Sequence, residues 1–244
     1  MDRNKVVVLR LAYLGWNYYG TVRQEGLPTV ESALSEALMS QGIEARIKFT
    51  SRTDKGVSAL DNLAYYRGPS PNLSQLNFKL PRDIVVWAVS ESERAPKPEM
   101  RVYAYRVPFR LSDAGNRVSD VIRELKRTGL CLNVEKVDVK IGDNYTHIEF
   151  HGKFFKRHEI RKAVGMMIGL SVGRKMDLAP PEGLVLVRTV ANLEWREFAL
   201  RKLHILRKII EESMWRLEST KLMYELLDFT FSSISRSKSP GRTT

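Results

Sequence analysis

The sequence predicts an α/β fold of the α+β kind, arranged as two related lobes. Two patterns predict it. Stretches with period-two apolar alternation trade places with stretches of helical period along most of the chain. Both halves also run strand, helix, strand, strand, then helix and strand, although no sequence repeat relates them. Size allows this organisation, because 244 residues with 43% hydrophobic and 28% charged side chains can bury one large core or two small ones.

The elements follow in order. Val6 to Tyr13 is a strand with both faces apolar, and Gly15 to Gly20 is an aromatic-rich loop bounded by glycines. Leu27-Pro28-Thr29 opens a helix with Thr29 as N-cap and Glu31 in the first turn. Val30, Leu34, Ala37 and Leu38 form its buried stripe, and Gly42 closes it. Ile43 to Thr50 alternates as a half-buried strand, and an apolar, aromatic segment runs from Val57 to Tyr66. Asn72 to Leu80 is a short helix stopped by Pro81, and Ile84 to Val89 is a strand.

Ala95-Pro96-Lys97-Pro98 is the best linker, which divides the chain into an N-terminal lobe, 1–95, and a C-terminal lobe, 96–231. Arg101 to Phe109 is a strand, and Val118, Val121, Ile122 and Leu125 are a helix stripe. Strands are expected near 131–140 and 145–151, then a helix from about Lys156 to Val172 with Ile160, Val164, Met167 and Ile168 inward. Gly183 to Val190 is a strand, and Leu193 to about Leu227 reads as helical in two pieces. The Ser/Arg/Lys-rich tail 232–244 is expected to be disordered.

Composition excludes several function classes. A single cysteine, Cys131, allows no disulfide framework and no thiolate zinc site within the chain, and is expected to pack as a small apolar residue. His147 and His151 have helical ligand spacing but sit in a segment that alternates like a strand, which argues against a metal site there. The apolar runs are too short for a membrane span and no leader pattern opens the chain, so a cytoplasmic location is expected. The net charge of +12 predicts a polyanionic partner, because each neutralised phosphate releases a condensed counterion. Nucleic acid fits that excess better than a lipid surface or a merely charge-rich exterior.

Four segments concentrate chemistry. The first is the aromatic loop Tyr13 to Gly20 with Arg23 and Gln24. The second is Ser51-Arg52-Thr53-Asp54-Lys55-Gly56-Val57-Ser58-Ala59, where a turn holds Asp54 near Arg52. A carboxylate fixed there can be a nucleophile or a general base, or it can simply bond its own turn backbone. The third is Arg101-Val102-Tyr103-Ala104-Tyr105, whose alternation puts Arg101, Tyr103 and Tyr105 on one face. The fourth is Phe154-Phe155-Lys156-Arg157-His158-Glu159-Ile160-Arg161, at a helix start. Aromatics interleaved with cations suit RNA, whose unpaired bases stack while lysines and arginines hold phosphates; core packing explains single aromatics equally well.

These segments, in this order, resemble the tRNA pseudouridine synthase A family. The family's G-R-T-D-A-G-V-H-A corresponds to Ser51–Ala59, and its Y-D-G-x-x-F/Y-x-G-W-Q to the loop from Tyr13 to Gly20. Asn77-Phe78-Lys79-Leu80-Pro81-Arg82-Asp83-Ile84 is similar to N-x-x-L-P-x-D-I, and Arg101 to Tyr105 to R-x-Y-x-Y. Phe155 to Gly165 is similar to F-x-x-H-M-V-R-x-x-V-G, and Ala179 to Leu184 to A-P-P-E-G-L.

The resemblance implies two RRM-like lobes sharing a mixed, largely antiparallel sheet with flanking helices. It implies isomerisation of uridine to pseudouridine in the anticodon stem-loop of tRNA, a homodimer, and chemistry needing no cofactor or metal. Asp54 would attack the sugar C1′ or assist base departure. Arg161 would pair with that carboxylate and keep it ionised. Tyr103 would stack on the uracil near C5, and Arg52 would fill the gap left by the flipped nucleotide. Arg23, Gln24, Arg101, Tyr105, Phe155, Lys156, Arg157 and His158 would contact RNA.

The sequence departs from the family pattern at several positions. Leu14 replaces an acidic residue, Thr21-Val22 stands where Trp-Gln is usual, and Ser51, Lys55 and Ser58 replace Gly, Ala and His. The segment from Phe109 to Leu130 is short and lacks the family's H-D-F-x-x-F block. A different class of reading is a non-catalytic RNA-binding protein of two RRM-like lobes, which leaves Asp54 without a purpose. A DNA-binding regulator is disfavoured because no helix-turn-helix pattern is evident.

Overall fold

A computed structural model of the protein describes residues 5–111, 114–127 and 133–214. Among the described residues, nine strands form one mixed sheet: β1 Val6–Tyr13, β2 Lys48–Phe49, β3 Ser58–Arg67, β4 Ile84–Ser92, β5 Met100–Val107, β6 Lys136–Ile141, β7 Thr146–Gly152, β8 Leu184–Val190 and β9 Glu197–Phe198. Its order is β6-β7-β5-β8-β3-β1-β4-β9, with β2 pairing β3. The ladder is antiparallel throughout, except where β3 and β8 run parallel through Ser58–Ala59 against Val185–Leu186. That short parallel pair is the seam between the two halves of the sheet.

Helices α1 Val30–Met39, α2 Leu73–Lys79, α3 Ala114–Arg127 and α4 Glu159–Val172 contribute to one large core. A fifth helix, α5, spans residues 203–214. Strand β1 explains why its sequence is apolar on both faces. Val7, Leu9, Leu11 and Tyr13 belong to the core shared with the helices. Ala12 and Leu14 pack with Val85 against Leu203, Leu206, Ile209 and Ile210 of α5, and Val6 and Val8 against Leu193 and Trp195. The central strand is therefore covered on both sides.

The start of α1 is as expected. The Thr29 side chain accepts from the Ser32 N–H while the Ser32 hydroxyl accepts from the Thr29 N–H, a reciprocal cap that satisfies two otherwise unpaired donors. Val30, Leu34, Ala37 and Leu38 are all buried. Ile160, Val164, Met167 and Ile168 of α4 are buried likewise.

Three expectations need correction. Ile43 to Thr50 keeps its alternation of burial, but only Lys48 and Phe49 pair with β3. Hydrophobic parity reports which side chains face inward and not whether a neighbouring strand accepts the backbone. Helix α4 begins at Glu159, three residues later than read, because His158 lies in the left-handed region. Residues 191–199 are not helical. Instead the Ser90 hydroxyl donates to the Glu194 carbonyl, and β9 pairs with β4. Tertiary pairing overrides a weak helical pattern there. Cys131, the side chains of Val118 and Val121, the helix end near Leu227 and the tail 232–244 lie outside the described residues.

The buried Asp61 also ties the halves of the sheet together. Standing on β3, it binds Arg10 of β1 through both carboxylate oxygens at 2.5 Å. It also accepts from the Thr189 N–H of β8, and its own carbonyl accepts from the Thr189 hydroxyl. Trp87 and Trp195 stack on the Arg10 guanidinium at 4.6 and 5.0 Å.

Candidate active site

Where the halves meet, a cleft of about 970 Å³ opens over the turn between β2 and β3. Three stretches of chain build its floor. The turn 50–57 is fixed by hydrogen bonds to its backbone and to the Thr53 side chain. The Thr53 N–H donates to the Thr21 hydroxyl, and the Thr53 hydroxyl is 2.9 Å from the Tyr13 phenol oxygen. Asn62 donates to the Ser51 carbonyl at 2.9 Å. Gly56, at φ +82°, closes the turn as its N–H donates to the Tyr18 carbonyl. Gly15 lies so close to the turn that a Cβ there would stand 2.2 Å from the Val57 carbonyl oxygen. The aromatic loop and the Asp54 turn are thus one packed unit.

The second stretch is β5. Arg101 donates to the Ser51 hydroxyl at 2.8 Å, to the Thr50 carbonyl at 2.8 Å and to the Lys153 carbonyl. Burial lowers its pKa, and those acceptors compensate the buried charge. Beside it Tyr103 is 7% exposed and meets the Phe155 ring edge-on, with centroids 5.3 Å apart. Burial pushes the Tyr103 phenol up to about 12, so it is a neutral hydroxyl at physiological pH.

The third stretch is the start of α4. The Arg161 Nε donates to the Ala179 carbonyl at 2.8 Å, and the Ala179 N–H donates to the Arg161 carbonyl. This bridge orients the guanidinium so that Nη1 stands 3.4 Å from Asp54 Oδ2. His158 Nε2 is 3.3 Å from the same oxygen. The pairing of Asp54 with Arg161 joins residues 107 apart in sequence. A carboxylate that keeps a quarter of its surface exposed, gripped on one oxygen by two nitrogen groups, retains its other oxygen for a substrate.

The cleft lining brings together most of the expected residues: Asp54, Tyr103 and Arg161, with Arg52, Gln24, Arg101, Phe155, Lys156, Arg157 and His158 around them. Two others lie elsewhere. Arg23 lines a neighbouring hollow, where its backbone N–H donates to Glu31. Tyr105 is 2% exposed, donates its hydroxyl to the Pro180 carbonyl at 2.8 Å, and is held by burial at about 12. It supports the segment that orients Arg161.

Several lining residues belong to the chemistry-bearing segments of the sequence without having been assigned an RNA contact. Trp16, Tyr19 and Phe154 are exposed at the cleft, and Lys55 Nζ sits 4.0 Å above the Tyr19 ring. Their signal was the glycine-bounded aromatic loop and the Phe154-Phe155 pair, where only exposure distinguishes a base-stacking ring from a core ring. The three departures in the Asp54 turn also find partners. Ser51 accepts from Arg101, Lys55 covers Tyr19, and the Ser58 hydroxyl accepts from the Gly15 N–H.

Away from the cleft, His147 and His151 share an alternating face of β7 with Glu149. Asp138, Glu149 and His151 bring ligand-type atoms within 4.8 Å of one another, a spacing that could hold a metal ion. The Lys136 ammonium already lies 2.7 Å from the Asp138 carboxylate. Among the described residues, no helix is long and apolar enough to cross a membrane.

No family model matches the chain. The chain is 32% identical to the tRNA pseudouridine synthase A of Methanothermobacter thermautotrophicus over 198 residues, covering 72% of this chain and 70% of that protein. It is 27% identical to the tRNA pseudouridine synthase A of Methanothrix thermoacetophila, covering 91% of this chain and 97% of that one. The enzyme of the same description from Aquifex aeolicus is 26% identical, with 75% of this chain and 98% of its own length covered.

Proposed function

The chain belongs to the tRNA pseudouridine synthase A family, and we propose that it converts uridine to pseudouridine in the anticodon stem-loop of tRNA, with Asp54 as the reacting carboxylate. The observation that carries the reading is the convergence of His158 and Arg161, at the start of α4, on Asp54 of the β2–β3 turn, in one basic cleft. A binding protein gains nothing from a carboxylate facing phosphates, whereas an isomerase needs a group able to act at the sugar.

The base must leave its N1 link, rotate and rejoin through C5, so the C5 proton is lost to solvent. A stacked nucleotide hides its glycosidic bond, so the uridine has to flip into the cleft. The exposed Arg52 stands where it can occupy the vacated stack, and Tyr103, packed against Phe155, offers its ring to the uracil. Arg161 balances charge on Asp54 as the carboxylate forms and breaks its bond, or as it assists departure of the base. Lys156 and Arg157, with the exposed rings of Trp16, Tyr19 and Phe154, suit the phosphates and neighbouring bases. No step in this scheme requires a metal or a cofactor. The reading extends to a homodimer in which each tRNA touches both subunits, which sedimentation with and without tRNA tests.

The decisive experiment is Asp54→Asn. Tritium release from 5-tritiated uridine in tRNA should vanish while tRNA affinity stays within about threefold, since affinity is mostly phosphate contact. Release at the parent rate would refute the assignment.

A further inference from the structure

We propose that His158 is a positioning residue for Asp54, fixing which carboxylate oxygen meets the substrate, and not a docking residue for RNA. The inference rests on the functional reading above and adds a second group to the control of its carboxylate.

The backbone supplies the first observation. Among the described residues, His158 is the only non-glycine with positive φ, at φ 60° and ψ 6°. Histidine enters this region more readily than most side chains, yet glycine would occupy it without steric conflict. Strain of this kind persists where the surroundings enforce it, and it clusters at functional sites.

Helix capping does not account for the choice of residue. His158 stands at the N-cap of α4 but its side chain makes no capping hydrogen bond. The Glu159 carboxylate instead accepts from the Lys156 N–H at 2.6 Å, bracing this turn from inside the helix. What the left-handed turn achieves is to bring the imidazole to Asp54.

The contact itself is selective. His158 Nε2 at 3.3 Å and Arg161 Nη1 at 3.4 Å both address Oδ2. Two groups three residues apart on one helix start therefore hold the same oxygen, one by each approach. Both distances exceed the 2.7–2.9 Å typical of charge-assisted hydrogen bonds, about 0.4 Å of slack that a bound substrate can take up. With the proton on Nε2, and with the 3.3 Å gap closed in the substrate complex, the imidazole would donate to Oδ2 and leave Oδ1 for the sugar. Arg161 alone would supply charge but leave the carboxylate free to rotate about its χ2 bond.

The test compares His158→Gly, His158→Gln and the parent, using tritium release from 5-tritiated tRNA and thermal melting. Glycine relieves the backbone and removes the donor. It should melt at or above the parent's temperature while kcat falls at least about tenfold and KM for tRNA stays within about threefold, the loss expected for one hydrogen bond to a charged group. Glutamine restores a side-chain N–H of similar reach and should recover most of that kcat.

A glycine variant with kcat within about twofold of the parent overturns the proposal, as does a loss confined to KM, which would mark a docking residue. A glutamine variant no more active than the glycine one also overturns it. A parent inactive on tRNA refutes the functional reading as well, whereas an active parent with unimpaired variants refutes only the role of His158.

Discussion

At the scale of the residue, the cleft separates groups that react from groups that hold them. Asp54 keeps a quarter of its side chain in contact with solvent, whereas Tyr103 is 7% exposed with its phenol pushed up to about 12. A phenol so buried is a poor base in the resting protein, and its use lies in its ring, packed against Phe155. Tyr103→Ala should therefore lower kcat by about a hundredfold or more while tRNA affinity changes less than fivefold, because phosphate contacts dominate affinity. Parallel loss of both in a titration and a single-turnover assay would make Tyr103 a docking residue. The family motif picked out Asp54, Tyr103 and Arg161 from the sequence. It could not show that Tyr105, on the same face of β5, is spent on the Pro180 carbonyl, because alternation gives a side and not a partner.

At the scale of the element, the active-site turn depends on close backbone approach. Gly15 donates its N–H to Ser58, and its missing side chain admits the Val57 carbonyl. Gly15→Ala should cost about 1–3 kcal/mol in urea unfolding, since the atoms in the way are backbone and cannot rotate aside. It should also reduce turnover by moving the Asp54 turn. Gly26→Ala is the control. It meets no atom within 4 Å, so its only penalty is the positive φ of +71°, about 1 kcal/mol, and turnover should hold. Equal effects of the two substitutions would mean that loop packing does not set the turn. Much of this scale was legible in sequence: Thr29 and the stripe of α1, the stop at Pro81, and the inward face of α4. The strand expected over Ile43 to Thr50 and the helix expected from Leu193 were not, because pairing partners and the layer over β1 come from distant chain.

At the scale of the whole molecule, the site exists only while the two halves of the sheet stay in register. Their direct ladder is the short parallel contact of β3 with β8, reinforced by Asp61 and by the Arg101 clamp on Thr50 and Ser51. Asp61→Ala leaves the half-buried Arg10 between two tryptophans without its carboxylate, and should cost about 2–3 kcal/mol, read as a drop in melting temperature. A variant that melts with the parent would show that the seam is held without this pair.

By itself, the sequence determined the alternation of strands and helices, the polyanionic partner implied by a charge of +12, and the residue types of the site. Those properties are local or additive, and one chain displays them directly. The tertiary structure decided which nitrogens reach Asp54, that Trp16, Tyr19 and Phe154 remain exposed around it, and that His158 adopts a left-handed backbone to meet it. Each of these depends on contacts between segments as much as 107 residues apart, and on backbone geometry that no sequence period encodes.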